Sequence, residues 1–264
     1  MDEVTFLSRK ILDLNKQLIE SEKAKSRFLS LIANALNNPM TVLLGIIPKL
    51  APPSGDPREA IFGLAHEELL LLDFRVQNLV MAAEIESGSV SISNASVDIN
   101  ELLQEVLEAL KYSIKARNMT IVVNCSVNDR VVTDPQKLHI ILINLVANAC
   151  DYGIEGSSIN IEVVLVDSEI SISVKNQGPE PDVEYTAQLF TRFAEGPEGK
   201  HGLGLGLSVV RELTQWLGGH VDYIAEDSTV KFTVTLPVGE CLSNSEACGS
   251  NEFLFDSFDD AIEL

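Results

Sequence analysis

Residues 202–208 read GLGLGLS and run directly into VVRELTQWL (209–217), whose apolar positions recur at helical spacing and predict a helix from Leu205 to Leu217. Glycines at every second position let backbone amides approach a ligand closely, and the helix start behind them favours an anion. Alone, such a repeat serves equally as a flexible turn before a helix. Its reading therefore depends on what the rest of the chain places beside it.

Upstream, NLVANA (144–149) lies inside a helix predicted over Asp134 to Tyr152. Asn144 and Asn148 are four residues apart, so their amides share one helical face. Neutral oxygens at that spacing can complete a site for a hard cation beside phosphates. Capping or core-edge asparagines are the alternative, but two amides in an otherwise apolar helix need a reason to be there.

Around these motifs the period of the pattern alternates. SVSIS (89–93), MTIVVNC (119–125), INIEVVLVDSEISISVKN (159–176) and VDYIAEDSTVKFTVTLP (221–237) read as strands and hairpins, with a further helix expected over Asn100 to Arg117. This mixture predicts an α/β sandwich with one mixed sheet covered by helices on one face. The earlier part of the chain is helical. Val4, Leu7, Ile11, Leu14 and Leu18 form the narrow seam of a coiled coil, and the helical pattern runs to about Leu50, where APPSGDP (51–57) ends it. A second helix is expected from about Arg58 to Ser87, apolar at Ile61, Leu64, Ala65, Leu69, Leu72, Val76, Leu79, Val80 and Ala83. One hairpin cannot bury both of its apolar faces, so a symmetric dimer forming a four-helix bundle is expected. The overall class is α+β, divided into a coiled coil (1–27), a dimerisation hairpin (28–87), a sandwich domain (88–238) and an acidic flexible tail (239–264).

Composition narrows the function. A formal charge of −20 argues against nucleic acid as a partner. Residues 240–264 hold seven acids and no base, whereas residues 1–50 hold seven bases against five acids. The apolar runs are too short to span a membrane and no signal peptide opens the chain, so a cytoplasmic location is expected. The four cysteines, at 125, 150, 241 and 248, lack metal-ligand spacing.

In order, FLSLIANALNNP (28–39), ESGSVSISNASVDINELL (86–103), TDPQKLHIILINLVANA (133–149), VKNQGPEP (174–181), LFTRF (189–193) and GLGLGLS resemble the dimerisation and catalytic core of a sensor histidine kinase. The resemblance implies a Bergerat-type ATP-binding sandwich holding ATP or ADP with Mg2+. Asn144 and Asn148 would hold the magnesium and phosphates, and Asn176 and Gly178 would lie in the adenine loop. Arg192 and Phe193 fall in the box before the lid, and Lys200, Gly202, Gly204 and Gly206 fall in the lid itself. The implied partners are a second copy of the chain, a response regulator or partner histidine kinase, and a sensor input from another domain or protein.

Departures from the family pattern concentrate on phosphoryl transfer. Asn34 stands where the family has its phosphoacceptor histidine, and an amide nitrogen lacks the available lone pair of an imidazole. Ala35 stands where the family has an acid that orients the ring and takes its proton, a role worth roughly 10²–10⁴-fold. A substitution made only to trap the kinase would have left that acid in place. Asn176 replaces an aspartate, Glu180 a glycine, and Asp151 puts a negative charge where a base commonly holds phosphate. His66, followed by Glu67, repeats a His-acid pair and is the one candidate for an unorthodox acceptor, although such a pair is more often solvated surface. His139, His201 and His220 are expected to be structural or lid residues. Asn38 occupies the position that in the family orients water for dephosphorylating a response regulator; a plain helix-surface asparagine is the alternative. The expected function is a two-component signalling protein acting as a pseudokinase. An active kinase using His66 and a phosphatase using Asn38 remain the alternatives.

Overall fold

The computed structural model describes residues 10, 12, 16, 36, 40–53, 56, 58–127, 129–179, 189–192 and 204–240. Residues 40–46 are helical and tighten into a 3-10 turn at Ile47–Leu50, after which the prolines at 52 and 53 prevent continuation. Helix α1 spans Glu59–Ser87. It stops at Gly88, whose φ of +67° a side chain would strain, and the amides of Gly88 and Ser89 return to the carbonyls of Ile85 and Glu84.

Strand β1 (Ala95–Val97) follows, then α2 (Ile99–Ala109) and α3 (Lys111–Ala116). Asp98 caps α2 by accepting from the amides of Asn100 and Glu101. The single helix expected over 100–117 is divided at buried Leu110, where the backbone relaxes to φ −99° and ψ 6°. The strand expected at SVSIS is absent, and the three-residue β1 lies just beyond it. The amide of Ser93 donates instead to Asp134 Oδ2 at 2.7 Å, which takes this segment out of any ladder. The same carboxylate caps the long helix α4 (Pro135–Tyr152) through the Lys137 amide at 3.0 Å.

The main sheet has the order β2 (Thr120–Cys125), β4 (Ser158–Val166), β5 (Glu169–Gln177), β7 (Thr229–Pro237), β6 (His220–Glu226). Only β2–β4 is parallel. Both tight hairpins turn on a pair of positive-φ residues, Asp167–Ser168 and Asp227–Ser228, the backbone that matches the sheet's right-handed twist. Alternation puts Ile159, Ile161 and Val163 of β4 on one face with Ile172 and Val174 of β5 and Phe232 and Val234 of β7. This face forms one core with α2, α4 and α5 (Gly206–Trp216). A second sheet joins β1, β3 (Val131–Thr133) and β8 (Gly239–Glu240), all antiparallel. Strand β8 continues the ladder two residues into the stretch read from sequence as tail.

α1 departs most from the expected pattern. Ile61 and Leu64 are 70% and 64% exposed and Leu72 is also exposed, while Leu69, Val76, Asn78, Met81, Ala82 and Ala83 are buried. Most of the buried face of α1 lies in its C-terminal half, although His66 in the first half meets Tyr112 of α3. The seam of residues 4–18 falls almost wholly outside the described residues.

Candidate nucleotide site

The two asparagines of α4 have different surroundings. Asn144 is 3% exposed, and its Nδ2 donates to the Ile140 carbonyl at 2.7 Å and to Oδ1 of Asn78 on α1 at 2.8 Å. Its Oδ1 faces the first residue of α5, where a Cβ on Gly206 would lie only 2.6 Å away. Glycine at 206 is therefore what lets α5 begin against this amide. Asn148, one turn further on, is half-buried, and Asp151 is exposed.

Where α4 ends, the loop after β5 closes on it. A Cβ on Gly178 would come within 2.8 Å of the Tyr152 carbonyl oxygen and 3.0 Å of Asn176 Nδ2, so only glycine fits this close approach. Asn176 is 2% exposed, and its Nδ2 donates to the neighbouring Gln177 carbonyl at 3.3 Å. Arg117 reaches the end of α4 from the α3–β2 turn, donating to the carbonyls of Gly153 at 2.7 Å and Asp151 at 3.4 Å. A cation at a helix C-terminus complements its dipole. Position 151 itself carries an acid, but a guanidinium sits beside it.

Arg192 is held in a fork: Nε and Nη2 donate to the two oxygens of Glu212 on α5 at 3.2 and 2.8 Å. Its Nη1 also lies 3.3 Å from Glu86 Oε2 on α1. Gly204 takes φ +62° just ahead of α5. The structure thus brings Asn144 and Gly206 together at the start of α5, holds Arg192 on Glu212 further along that helix, and gathers Asn148, Asp151, Asn176 and Gly178 around the end of α4. Asn34, Ala35, Asn38, Glu180, Phe193, Lys200, His201 and Gly202 lie outside the described residues.

The remaining histidines sit elsewhere. His66 stacks on Phe62 at 6.3 Å between centroids and meets Tyr112 edge-on at 5.7 Å, and its Nδ1 is buried with no hydrogen-bond partner among the described residues. Burial pushes His139 below the ordinary imidazole range, with Glu105 opposing. His220 opens β6 on the surface, 3.5 Å from Asp222. Cys150 is buried directly behind the site; burial, with Asp151 adding and Arg117 opposing, pushes its thiol up to about 12, which leaves it inert.

Three residues that contact the site escaped the sequence reading: Asn78, Glu86 and Glu212. Asn78 carried a legible signal, since Phe74, Asn78, Met81, Ala82 and Ile85 form one helical stripe in which it is the only amide. The stripe chosen from sequence followed a different phase. Glu86 and Glu212 had no such signal, because acids on helices are ordinarily solvated.

A nucleotide with a divalent cation needs open oxygens and an uncommitted guanidinium. Here both bonds of the Asn144 amide leave from Nδ2 and direct its Oδ1 at the start of α5, whereas Arg192 is divided between two carboxylates. The amide oxygen fits a cation, while the guanidinium is committed to Glu86 and Glu212.

Residues 133–240 match the family of histidine kinase-, DNA gyrase B- and HSP90-like ATPases. The chain is 26% identical over 236 residues to the sensor histidine kinase HprS of Escherichia coli K12, covering 88% of this chain and 51% of that protein. It is 30% identical over 227 residues to the sensor histidine kinase AtsR of Burkholderia thailandensis, covering 81% of this chain and 37% of that one. The chain therefore spans about half or less of the length of these relatives. Among solved structures, full-length ShkA in complex with AMPPNP has the same fold, with a TM-score of 0.61 and 22% identity over 81% of this chain and 46% of that one. With the α+β sandwich, the ATPase match and these relatives on one chain, it belongs to the sensor histidine kinase family.

Proposed function

We propose that this chain is a signalling pseudokinase of the two-component type, which has lost autophosphorylation at the usual position and acts through its hairpin on a response regulator or a partner histidine kinase. The observation that carries the reading is Asn34, an amide at the phosphoacceptor position, with Ala35 beside it. Neither can supply the nucleophile or the base that phosphoryl transfer requires. The hairpin dimerises, the coiled coil brings a signal from a sensor outside this chain, and the protein works in the cytoplasm.

Nucleotide binding by the sandwich is retained but weak. The ATPase match and the ShkA complex with AMPPNP support retention. Asp151, the neutral Asn176 and the engaged state of Arg192 support weakness. Asn144 and Asn148 would hold the Mg2+, which supplies charge neutralisation to the phosphates when bound.

Incubation with labelled ATP and magnesium tests the reading. No acid-labile label on the protein is expected, and stable incorporation would overturn it; loss of such label in His66→Ala would identify the acceptor. A second role rests on the amide of Asn38, which can orient water for dephosphorylating a regulator. If it does, Asn38→Ala slows decay of the phosphorylated regulator, whereas unchanged decay removes the phosphatase reading.

A further inference from the structure

We propose that the open edge of β2 is the docking site of the chain's own acidic end, residues 253–260, which adds to the main sheet as a further strand antiparallel to β2.

Strand β2 is the last of its sheet, with β4 as its neighbour there. The amides of Thr120 and Ser126 donate to the carbonyls of Ser157 and Val163, so alternate residues of β2 face β4. The N–H and C=O groups of Ile121, Val123 and Cys125 therefore face the open side. A bare edge of this kind is ordinarily blunted by charge. The opposite edge, β6, follows that rule with exposed Asp222 and Glu226. β2 does not: it reads TIVVNC, with no charged residue. Val122 and Val123, which point to opposite faces of the sheet, are 38% and 40% exposed. Backbone and side chains alike suit a covering strand, which takes its affinity from main-chain hydrogen bonds.

The place where the chain leaves the sandwich selects the occupant. β8 runs antiparallel to β3 with Glu240 opposite Val131, so the chain beyond Glu240 heads back past Arg130 toward Cys125. Cys125 and Val131 are six residues apart, a span of at most roughly 20 Å. The thirteen residues from Glu240 to Phe253 can reach roughly 40 Å, which is ample. Strand-forming side chains of residues 241–264 concentrate in FLFDSF (253–258), which matches the six residues of β2 in length. Entering beside Cys125 and running toward Thr120, this segment brings the acids at 259 and 260 to Lys115 and Arg117, just ahead of β2. The opposite direction would carry those acids away from both bases. Docked in this way, the chain end closes an edge on which a second copy could otherwise pair.

Hydrogen exchange resolved by residue, on the full chain, tests the proposal. In the wild type the amides of Ile121, Val123 and Cys125 should exchange about tenfold more slowly than in the double variant Phe253→Asp/Phe255→Asp, the protection of one added hydrogen bond at each. Val122 and Asn124, whose amides face β4, should exchange alike in both proteins. Equal exchange at the three edge amides would overturn the proposal. Protection that rises with protein concentration would give the edge to a second copy and overturn it as well. Quickening of Val122 and Asn124 together with the edge amides would mark loosening of the whole strand rather than loss of an edge partner, and would also overturn it.

Discussion

Helix α4 has two sides of opposite character. Away from α1 it presents Leu138, Ile141 and Leu145, all with no exposed surface, to the interior of the sandwich. Toward α1 it presents His139, Ile143 and Asn144, opposite Asp73, Phe74, Gln77 and Asn78, with a cavity left among them. The first side is held by apolar burial, which has no direction and no substitute: opening it returns hydrocarbon to water. The second adds to the apolar contact of Phe74, Met81, Ala82 and Ile85 the Asn78–Asn144 bond, which another donor or acceptor can take over. One helix therefore has a purely apolar interface on one side and a mixed one, with a cavity in it, on the other.

Three measurements can break or sharpen this contrast. Leu145→Ala on the permanent side should lower unfolding stability by about 2–5 kcal/mol in a urea titration, the range for a fully buried leucine. Ile143→Ala, on the cavity side, should cost clearly less, about 2 kcal/mol, because its neighbours are already incompletely packed. Equal losses would show the seam to be as tightly built as the core. The smallest effect is electrostatic. His139 has its imidazole pKa pushed down by burial, with Glu105 opposing, so in the unfolded chain it takes up a proton first as acid is added. Its contribution to stability is present above pH 6.5 and lost as pH falls through the lower folded value. Stability should therefore decline below pH 6.5, and His139→Gln should flatten that decline; an unchanged pH profile would place the imidazole in water rather than in the seam.

The sandwich was legible because its signals are local and periodic. Strands β4, β5, β6 and β7 alternate cleanly, α4 begins with an aspartate and proline in capping positions, and the glycines at 178 and 206 stand where the chain passes closest to itself. SVSIS was misread because alternation is also compatible with an extended segment whose amides bond elsewhere, in this case Ser93 to the Asp134 cap. β3 and β8 are too short to carry a period, and each exists by pairing with a strand distant in sequence. Asn144 was found from sequence, but its partner was not. An asparagine–asparagine bond between residues 66 positions apart leaves no mark in either local window. The α1 stripe was read in the phase that suits a dimer face, as exposed Ile61, Leu64 and Leu72 make understandable. The buried phase nearer Ser87 belongs to a different neighbour, the sandwich.

The three-stranded sheet has a mechanical consequence. The chain enters the sandwich just before β1 and leaves it through β8, and both strands pair with the same short β3, one on either side. Entry and exit are thus fastened to a single strip a few residues wide. A domain joined to its chain at one such strip can swivel as a body without its core being unthreaded. Whatever turns α1 at Gly88 therefore meets the sandwich twice, at the strip around β3 and at the buried face of α1 itself.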